Sequence, residues 1–168
     1  MTFPIPAEMP TEVSFIETAE SPTAVIRFDG ITMAELMDCY DAAFGALHAA
    51  IGAGAVTPAG PALGLYHGEP HGRFDLEVGY PLAVPLAEEL TFGGFPVRGG
   101  RIPAASWAVL GHLGPYDALP ASWDRLNAGI AASGRTGSPF WIEVYVSDPM
   151  RTPAQELRTD LFAQLDPA

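Results

Sequence analysis

The sequence predicts an α+β fold: a duplicated βαββ module that forms an antiparallel sheet with two helices and a ligand pocket between the modules. Two observations predict it. Apolar residues switch between strand and helix spacing, in the order strand, helix, strand, strand in each half. Short stretches of the halves also align, AVIRFDG (24–30) with AVLGHLG (108–114) and LGLYHGEP (63–70) with IEVYVSDP (142–149).

The first half opens with a proline-rich stretch, residues 1–10, which we expect to form an irregular arm. Residues 12–20 and 23–30 are rich in apolar and β-branched side chains, and a Ser-Pro break separates them, which is typical of two strands. Residues 61–82 predict two further strands around a turn that contains glycine and proline.

A helix is predicted over residues 32–52, between the second and third strands. Thr32 and Glu35 have the spacing of a capping box, in which each side chain accepts a hydrogen bond from a backbone amide of the first turn. Apolar residues then recur at helical spacing and define one face: Met33, Leu36, Met37, Tyr40, Phe44, Leu47 and Ile51. Gly52 and Gly54 are stop signals.

The second half repeats this order. Residues 105–114 predict a strand, and Pro120 begins a second helix because proline is favoured in a first helical turn. The helix has an apolar stripe and ends at Gly134. Residues 139–149, PFWIEVYVSDP, and residues 156–165 predict the last two strands.

We expect one domain spanning residues 1–168, because a single βαββ module is too small to bury its sheet. The modules are expected at about 12–87 and 96–168, and a glycine-containing segment at about 88–95 is interpreted as their linker. A join between two packed modules is a natural place for a pocket.

The composition excludes several classes of partner. Among 168 residues there are 20 acids and 8 arginines without any lysine, for a formal net charge of −12. Direct binding of nucleic acid is not expected, since its affinity comes mainly from cationic contacts with phosphate. No segment has the length and hydropathy of a membrane span, and the N-terminus does not resemble a signal peptide, so we expect a cytoplasmic protein.

Glu143 is the residue that the strand pattern singles out. Side chains alternate along residues 139–149, so Phe140, Ile142, Val144 and Val146 share one face, and Trp141, Glu143, Tyr145 and Ser147 share the other. The purely apolar face is expected to pack on the helices. The alignment puts Gly64 in the place of Glu143, so the fold does not require an acid there, and a gap beside the carboxylate is expected.

The face of Glu143 has two interpretations. It is either an outer sheet face covered by rings, or a concave pocket with the acid at its base and aromatic walls. The pocket favours a flat, apolar, cationic ligand, because aromatic rings attract cations and the carboxylate compensates their charge. Burial would also raise the carboxyl pKa and make it a candidate general acid or base. The candidate ligand-binding residues are Glu143, Tyr145, Trp141, Tyr66, Trp107 and Tyr116.

Other constellations give weaker signals. His67, Glu69 and His71 lie close together in HGEPH, but the stretch also has the glycine and proline of a turn and no further partner nearby. We therefore expect no metal site. No phosphate-cradling loop or nucleotide fingerprint is present in the sequence, so no cofactor is expected.

Residues 101–126 and 140–165 resemble the GyrI-like (gyrase-inhibitor-like) small-molecule-binding domain, which is also the effector-binding part of AraC- and MerR-type multidrug regulators. The resemblance lies in a Pro-Ala before the strand AVLGHLGPY, a helix with a central tryptophan, the pattern E.Y..DP, and the closing ELRTDL. It implies two βαββ modules with a pocket between them. No helix-turn-helix segment precedes these residues, so a standalone domain is expected.

The resemblance also implies what Glu143 does. In the drug sensors of this family the matching acid lies in an aromatic pocket and meets cationic, lipophilic drugs. Some relatives are hydrolases of cyclopropane-containing DNA-alkylating compounds, and the matching acid is essential in them. In this chain the acid is Glu143, with Tyr145 beside it.

Three functions stay open on these grounds. The preferred one is binding of a small, aromatic, lipophilic and cationic molecule for sensing or sequestration, so an enzyme is not favoured. The second is hydrolysis of strained electrophiles, with Glu143 and Tyr145 as the catalytic residues. The third is a protein interaction of the gyrase-inhibitor type, and a homodimer is also open.

Overall fold

The structure is a computed structural model that describes residues 2–69 and 71–167. Residues 1 and 168, the ends of the expected domain, and Pro70, the last residue of the aligned stretch 63–70, lie outside the described residues. The strands are β1 (Ser14–Thr18), β2 (Ser21–Ile31), β3 (Ala62–His67), β4 (Phe74–Pro81), β5 (Leu90–Phe92), β6 (Phe95–Ile102), β7 (Ala105–Leu113), β8 (Gly137–Tyr145) and β9 (Arg158–Leu165). The helices are α1 (Leu36–Gly52) and α2 (Leu119–Ala132).

The nine strands found among the described residues form one antiparallel sheet in the order β1-β7-β9-β8-β3-β4-β2-β6-β5. Strands β7, β9 and β8 on one side of the centre repeat β2, β4 and β3 on the other side. The fold is therefore α+β with a repeated strand–helix–strand–strand order, as the sequence predicts.

The register at the centre of the sheet agrees with the alignment of the two halves. Gly64 on β3 lies directly opposite Glu143 on β8, the residue with which it aligns. One step away, Leu63 pairs with Val144 and Leu65 with Ile142. A pseudo-twofold axis therefore passes between Gly64 and Glu143, and each half has a counterpart for most positions of the other.

The halves exchange their outer strands. Strand β1 precedes β2 in the chain but pairs with β7, and β6 precedes β7 but pairs with β2. The segment 88–95, interpreted as a linker, contains β5 and the turn into β6. Gly93 and Gly94 both have positive φ, at 58° and 81°, which is the conformation that a two-residue hairpin turn requires. Gly-Gly between two apolar runs was therefore a hairpin signal.

The helix boundaries follow their sequence signals. The Glu35 carboxylate accepts a hydrogen bond from the Thr32 amide at 2.8 Å, as the capping-box spacing predicts. A turn of 3-10 helix over Met33–Glu35 precedes α1. Pro120 lies in the first turn of α2, and Gly134 follows its end with a φ of 76°. None of the helices within the described residues has the length and apolar character to cross a membrane.

The two faces of the sheet are covered differently from our expectation. Both helices pack on the face that carries Trp141, and the Ile142 and Val144 side chains point to the opposite face. The prediction that these apolar residues pack on the helices is wrong, because a second apolar core covers the opposite face. Each face is apolar, so alternation alone could not say which one the helices choose.

The N-terminal arm helps to cover this second core. Phe3 is 2% exposed and packs against Trp107 and Phe162. The Arg158 guanidinium donates hydrogen bonds to the carbonyl oxygens of Pro6 and Ala7, at 2.7 and 3.3 Å. The arm has no helix or strand among its described residues, yet these contacts dock it on the sheet.

Candidate functional site

Glu143 lies at the centre of the sheet, on the face that the helices cover. Its strand, β8, is held on both sides, by β3 and by β9. Its neighbours Ile142 and Val144 are fully buried in the opposite core. The backbone of Glu143 is thus fixed from three directions, and its side chain is 8% exposed.

The space beside Glu143 is occupied by Tyr40 from α1. A Cβ atom at Gly64 would overlap the Tyr40 hydroxyl, so only glycine leaves room for this ring above the sheet. The sequence predicted a gap at Gly64. The structure corrects this, because a side chain from another element fills the gap.

Three tyrosine hydroxyls form a chain above the central strands. The Tyr145 hydroxyl donates to the Tyr40 hydroxyl at 2.7 Å, and the Tyr40 and Tyr66 hydroxyls lie 2.6 Å apart. Because the Tyr40 oxygen already accepts from Tyr145, its own hydrogen is free to go to Tyr66. The nearby Tyr66 hydroxyl in turn lowers the pKa of Glu143 somewhat. The chain can therefore point its donors toward the carboxylate.

The protonation states in this cluster follow from burial. Desolvation raises the pKa of Glu143 from its ordinary value to about 7, although the Tyr66 hydroxyl lowers it. Burial, followed by the nearby Glu143 charge, raises the pKa values of Tyr40, Tyr66 and Tyr145. Near neutral pH the hydroxyls therefore keep their hydrogens, while the carboxyl group exchanges its proton.

Two more of the predicted residues lie next to this cluster. Tyr116, in the turn before α2, packs edge-on against Tyr145 with ring centroids 5.8 Å apart. Trp141 is on the same strand and face as Glu143, paired with Tyr66 across the β3–β8 ladder. Glu143, Tyr145, Tyr66, Tyr116 and Trp141 thus belong to one region.

Trp107 does not belong to it. This residue is fully buried in the core of the opposite face, and its indole N–H donates to the Thr18 hydroxyl at 2.9 Å. The sheet separates Trp107 from Glu143, because odd and even positions of β7 point to opposite faces. Trp107 is therefore a core residue here and is not included in the candidate site.

Tyr40 is the functional candidate that sequence reasoning missed. It was assigned only to the apolar face of the first helix. Tyr40 and Trp123 each lie four residues after the first residue of their helix, 36 to 40 and 119 to 123, so they are counterparts. The sequence resemblance singled out the central tryptophan of the second helix, Trp123. An alignment of the two helices would have pointed from Trp123 to Tyr40.

The pocket expected between the halves is closed by these tyrosines. The surface formed by the described residues has two depressions, of about 420 and 500 Å³. Glu143 lines neither of them, and Trp141 lines the smaller one. Within the described residues no group of three or more metal-ligating side chains comes together. His67 instead contacts Glu77 on the opposite face, at 2.6 Å.

The site therefore combines a buried carboxyl group, a ring-lined surround and a chain of hydroxyl donors. Such a site can compensate a cation that enters it, or exchange a proton with a bound molecule near neutral pH. Both capacities depend on Glu143, since no arginine or histidine of the described residues forms an ion pair with it.

The chain belongs to the family of GyrI-like small-molecule-binding domains, whose family model matches residues 11–166. This match spans both halves of the sheet and all of the candidate site. No match was found among proteins of curated function.

Solved structures show the same fold. The EcmrR C-terminal domain is 16% identical over 94% of this chain and 98% of that one, with a TM-score of 0.70. SAV2435 bound to tetraphenylphosphonium is 11% identical over 93% of this chain and 94% of that one, with a TM-score of 0.68. A hydrolase encoded by lin2189 from Listeria innocua is 9% identical over 95% and 94%, with a TM-score of 0.62. At these identities the likeness is one of fold.

Proposed function

We propose that this protein binds a small, aromatic, lipophilic cation, with Glu143 as the charge partner and the surrounding tyrosines as walls. The observation that carries the proposal is a buried carboxyl group to which no cationic side chain of the described residues is paired. Burying an unpaired carboxylate is costly, and the raised pKa of Glu143 expresses that cost. A bound cation would supply the missing charge.

The ring arrangement supports the same ligand class. Tyr40 and Tyr116 both pack edge-on against Tyr145, so rings from both helical halves converge on the strand of Glu143. A cation over aromatic faces gains about 0.5–2 kcal/mol, more when it is desolvated. SAV2435, which shares this fold, has been solved with tetraphenylphosphonium, a lipophilic cation.

Access to Glu143 requires movement of Tyr40. Its hydroxyl occupies the space over Gly64 and is held by Tyr66 and Tyr145. A ligand that reaches the carboxylate takes the place of this ring, and the hydroxyls of Tyr66 and Tyr145 become free to contact it.

Calorimetric titration with tetraphenylphosphonium tests the proposal, with neutral triphenylphosphine oxide as the uncharged analogue. Glu143→Gln should weaken binding of the cation by at least about 10-fold, because the cation loses its charge partner, and leave the neutral analogue unaffected. Glu88→Gln removes one negative charge from an exposed position and serves as the control for net charge. Equal cation affinity in the wild type and Glu143→Gln contradicts the proposal.

The pH dependence gives a second check. Because the cation binds the ionised carboxylate, its affinity should rise up to about tenfold per pH unit below pH 7 and level off above it. The neutral analogue should show no such rise. A flat cation profile between pH 5.5 and 8.5, about 1.5 pH units to either side of that pKa, would mean that Glu143 is not the charge partner.

Hydrolysis of a strained electrophile is the second candidate, favoured by the pKa of about 7 at Glu143. A water molecule would attack an electrophilic cyclopropane carbon while Glu143 takes a proton from that water molecule. The cyclopropane bond would break, and its electron pair would go to an acceptor group of the substrate that is conjugated with the ring. This group then takes up the proton that Glu143 removed from the water. The lin2189 protein from Listeria innocua, which has the same fold, is described as a hydrolase. Product formation from a cyclopropane-bearing compound, lost in Glu143→Gln, would establish this activity in place of pure binding.

A further inference from the structure

A depression of about 420 Å³ lies between the end of α2 and the strands β8 and β9. Trp141 is one of its lining residues, so the depression adjoins the Glu143 site along strand β8. Glu143 itself does not line it. Its volume lies within the range of small-molecule sites, about 300–1,000 Å³.

The pseudo-twofold axis shows which residues of the first half correspond to the lining of this depression. Ala24 and Ala108 are counterparts, and they pair with Tyr80 and Ala163 respectively, so Tyr80 corresponds to Ala163. Tyr80 packs against the core under α1. The second half has a methyl group where the first half has this ring.

The helices differ in the same way. Phe44 and Asn127 each lie eight residues after the first residue of their helix, 36 to 44 and 119 to 127. Phe44 packs against the core and stacks with Tyr40, and Asn127 lines the depression. Two rings that occupy the first half are therefore replaced by an amide and a methyl group in the second.

At Trp141 the two halves differ in the opposite way. Ala62 pairs with Tyr145 and Trp141 pairs with Tyr66, so Ala62 and Trp141 are counterparts about the axis. The second half thus has two rings fewer around the depression and an indole in addition. An indole among the lining residues is a group on which a flat aromatic ring can stack.

The rim determines the charge of the group that fits. Glu69 and Arg135 both line the depression, so a negative and a positive side chain face the same space. Their charges offset each other for a ligand placed between them. Asn127 adds an amide donor and an amide acceptor. These groups favour a neutral ring with its own donors and acceptors over a second cation.

We propose that this depression is a binding site for a neutral, planar heteroaromatic group. Residues two apart on a strand are about 7 Å apart, so a ring on Trp141 and a cation at Glu143 can belong to one elongated ligand. That extension to a single ligand rests on the proposed function, whereas binding of the neutral ring to the depression does not.

Nuclear magnetic resonance with nitrogen-15-labelled protein tests the site, with 2-phenylbenzimidazole as the probe at pH 8. Titration should shift the Trp141 indole N–H signal to saturation in the wild type and equally in Glu143→Gln. Asn127→Phe restores the ring of the first half at an exposed helix position, and should weaken the Trp141 response by about tenfold or more. Asn127→Ala keeps the depression open and is the matched control.

The outcomes separate this proposal from the proposed function. An unshifted Trp141 signal in the wild type overturns the depression as a site, and so does an unchanged response in Asn127→Phe. The Trp107 and Trp123 indole signals report whether that variant is folded. If it is not, Ala131→Met on the exposed face of the same helix narrows the depression instead. If Trp141 responds but tetraphenylphosphonium does not bind, the proposed function fails and this site stands.

Discussion

Gly64 and Tyr40 share one space: the glycine has no side chain, and the tyrosine hydroxyl from α1 occupies the position that a Cβ atom would take. This relationship brings Tyr40 into hydrogen bonding with Tyr66 and Tyr145. It closes the site over Glu143 and accounts for the missing side chain in the strand opposite the acid.

Gly64→Ala should destabilise the protein by about 1–3 kcal/mol, because the added methyl group forces the Tyr40 ring away. Urea denaturation measures the loss. Gly45→Ala is the control, since a Cβ there meets nothing within 4 Å and the helix interior gains up to about 1 kcal/mol from alanine. In a Tyr40→Phe background the cost of Gly64→Ala should shrink, and equal costs in both backgrounds would contradict the steric explanation.

Tyr40→Phe should lower stability and speed ligand access. It removes the acceptor of Tyr145 and the partner of Tyr66, and each lost hydrogen bond costs about 1 kcal/mol. The same loss makes displacement of the ring easier, so stopped-flow association of tetraphenylphosphonium should accelerate by about 5–30-fold. Tyr80→Phe lies outside the hydroxyl chain and should leave the rate unchanged. A lower stability without faster association would show that Tyr40 does not control access.

Glu143→Gln should change how stability depends on pH. The folded-state pKa of about 7 lies above the ordinary value of 4.5, so the folded protein holds the proton more tightly. The contribution of this tighter proton binding to the stability of the folded protein is fully present below about pH 4.5. It falls as the pH rises and is lost above about pH 7. This carboxyl group therefore costs the wild type about 3 kcal/mol across that interval.

Denaturation midpoints of the wild type and Glu143→Gln across pH 4.5–7.5, which spans the two pKa values of Glu143, measure this contribution. The difference between them should move in favour of the glutamine variant as the pH rises. A difference that stays constant across the interval would contradict a raised pKa of Glu143 in the folded protein.

Arg158→Ala should destabilise the protein by about 3–5 kcal/mol, because it leaves the fully buried Asp160 carboxylate without its partner. It also removes the hydrogen bonds that hold the N-terminal arm at Pro6 and Ala7. Arg151→Ala breaks an exposed pair with Asp148 and should cost less than about 1 kcal/mol. Similar losses in the two variants would contradict a structural function for the buried pair.

Much of the fold was predictable because its signals are local. The capping box at Thr32, the proline at the start of α2 and the strand patterns all act over a few residues, and the structure contains them. The alignment of Gly64 with Glu143 is also borne out by their direct pairing at the centre of the sheet. The hairpin of β5 and β6 was missed although its Gly-Gly turn was present in the sequence.

The sequence by itself determined the repeated order of elements, the face shared by Trp141, Glu143 and Tyr145, and the glycine opposite the acid. It could not determine what lies above that glycine, since Tyr40 reaches it from a helix 24 residues away in the chain. The sequence also could not exclude Trp107 from the candidate site. Alternation sorts the side chains of each strand into two sets, but it does not say which set of β7 lies on the same sheet face as Glu143. Those relationships depend on how helices dock and how strands pair over long distances, and only the tertiary structure decides them.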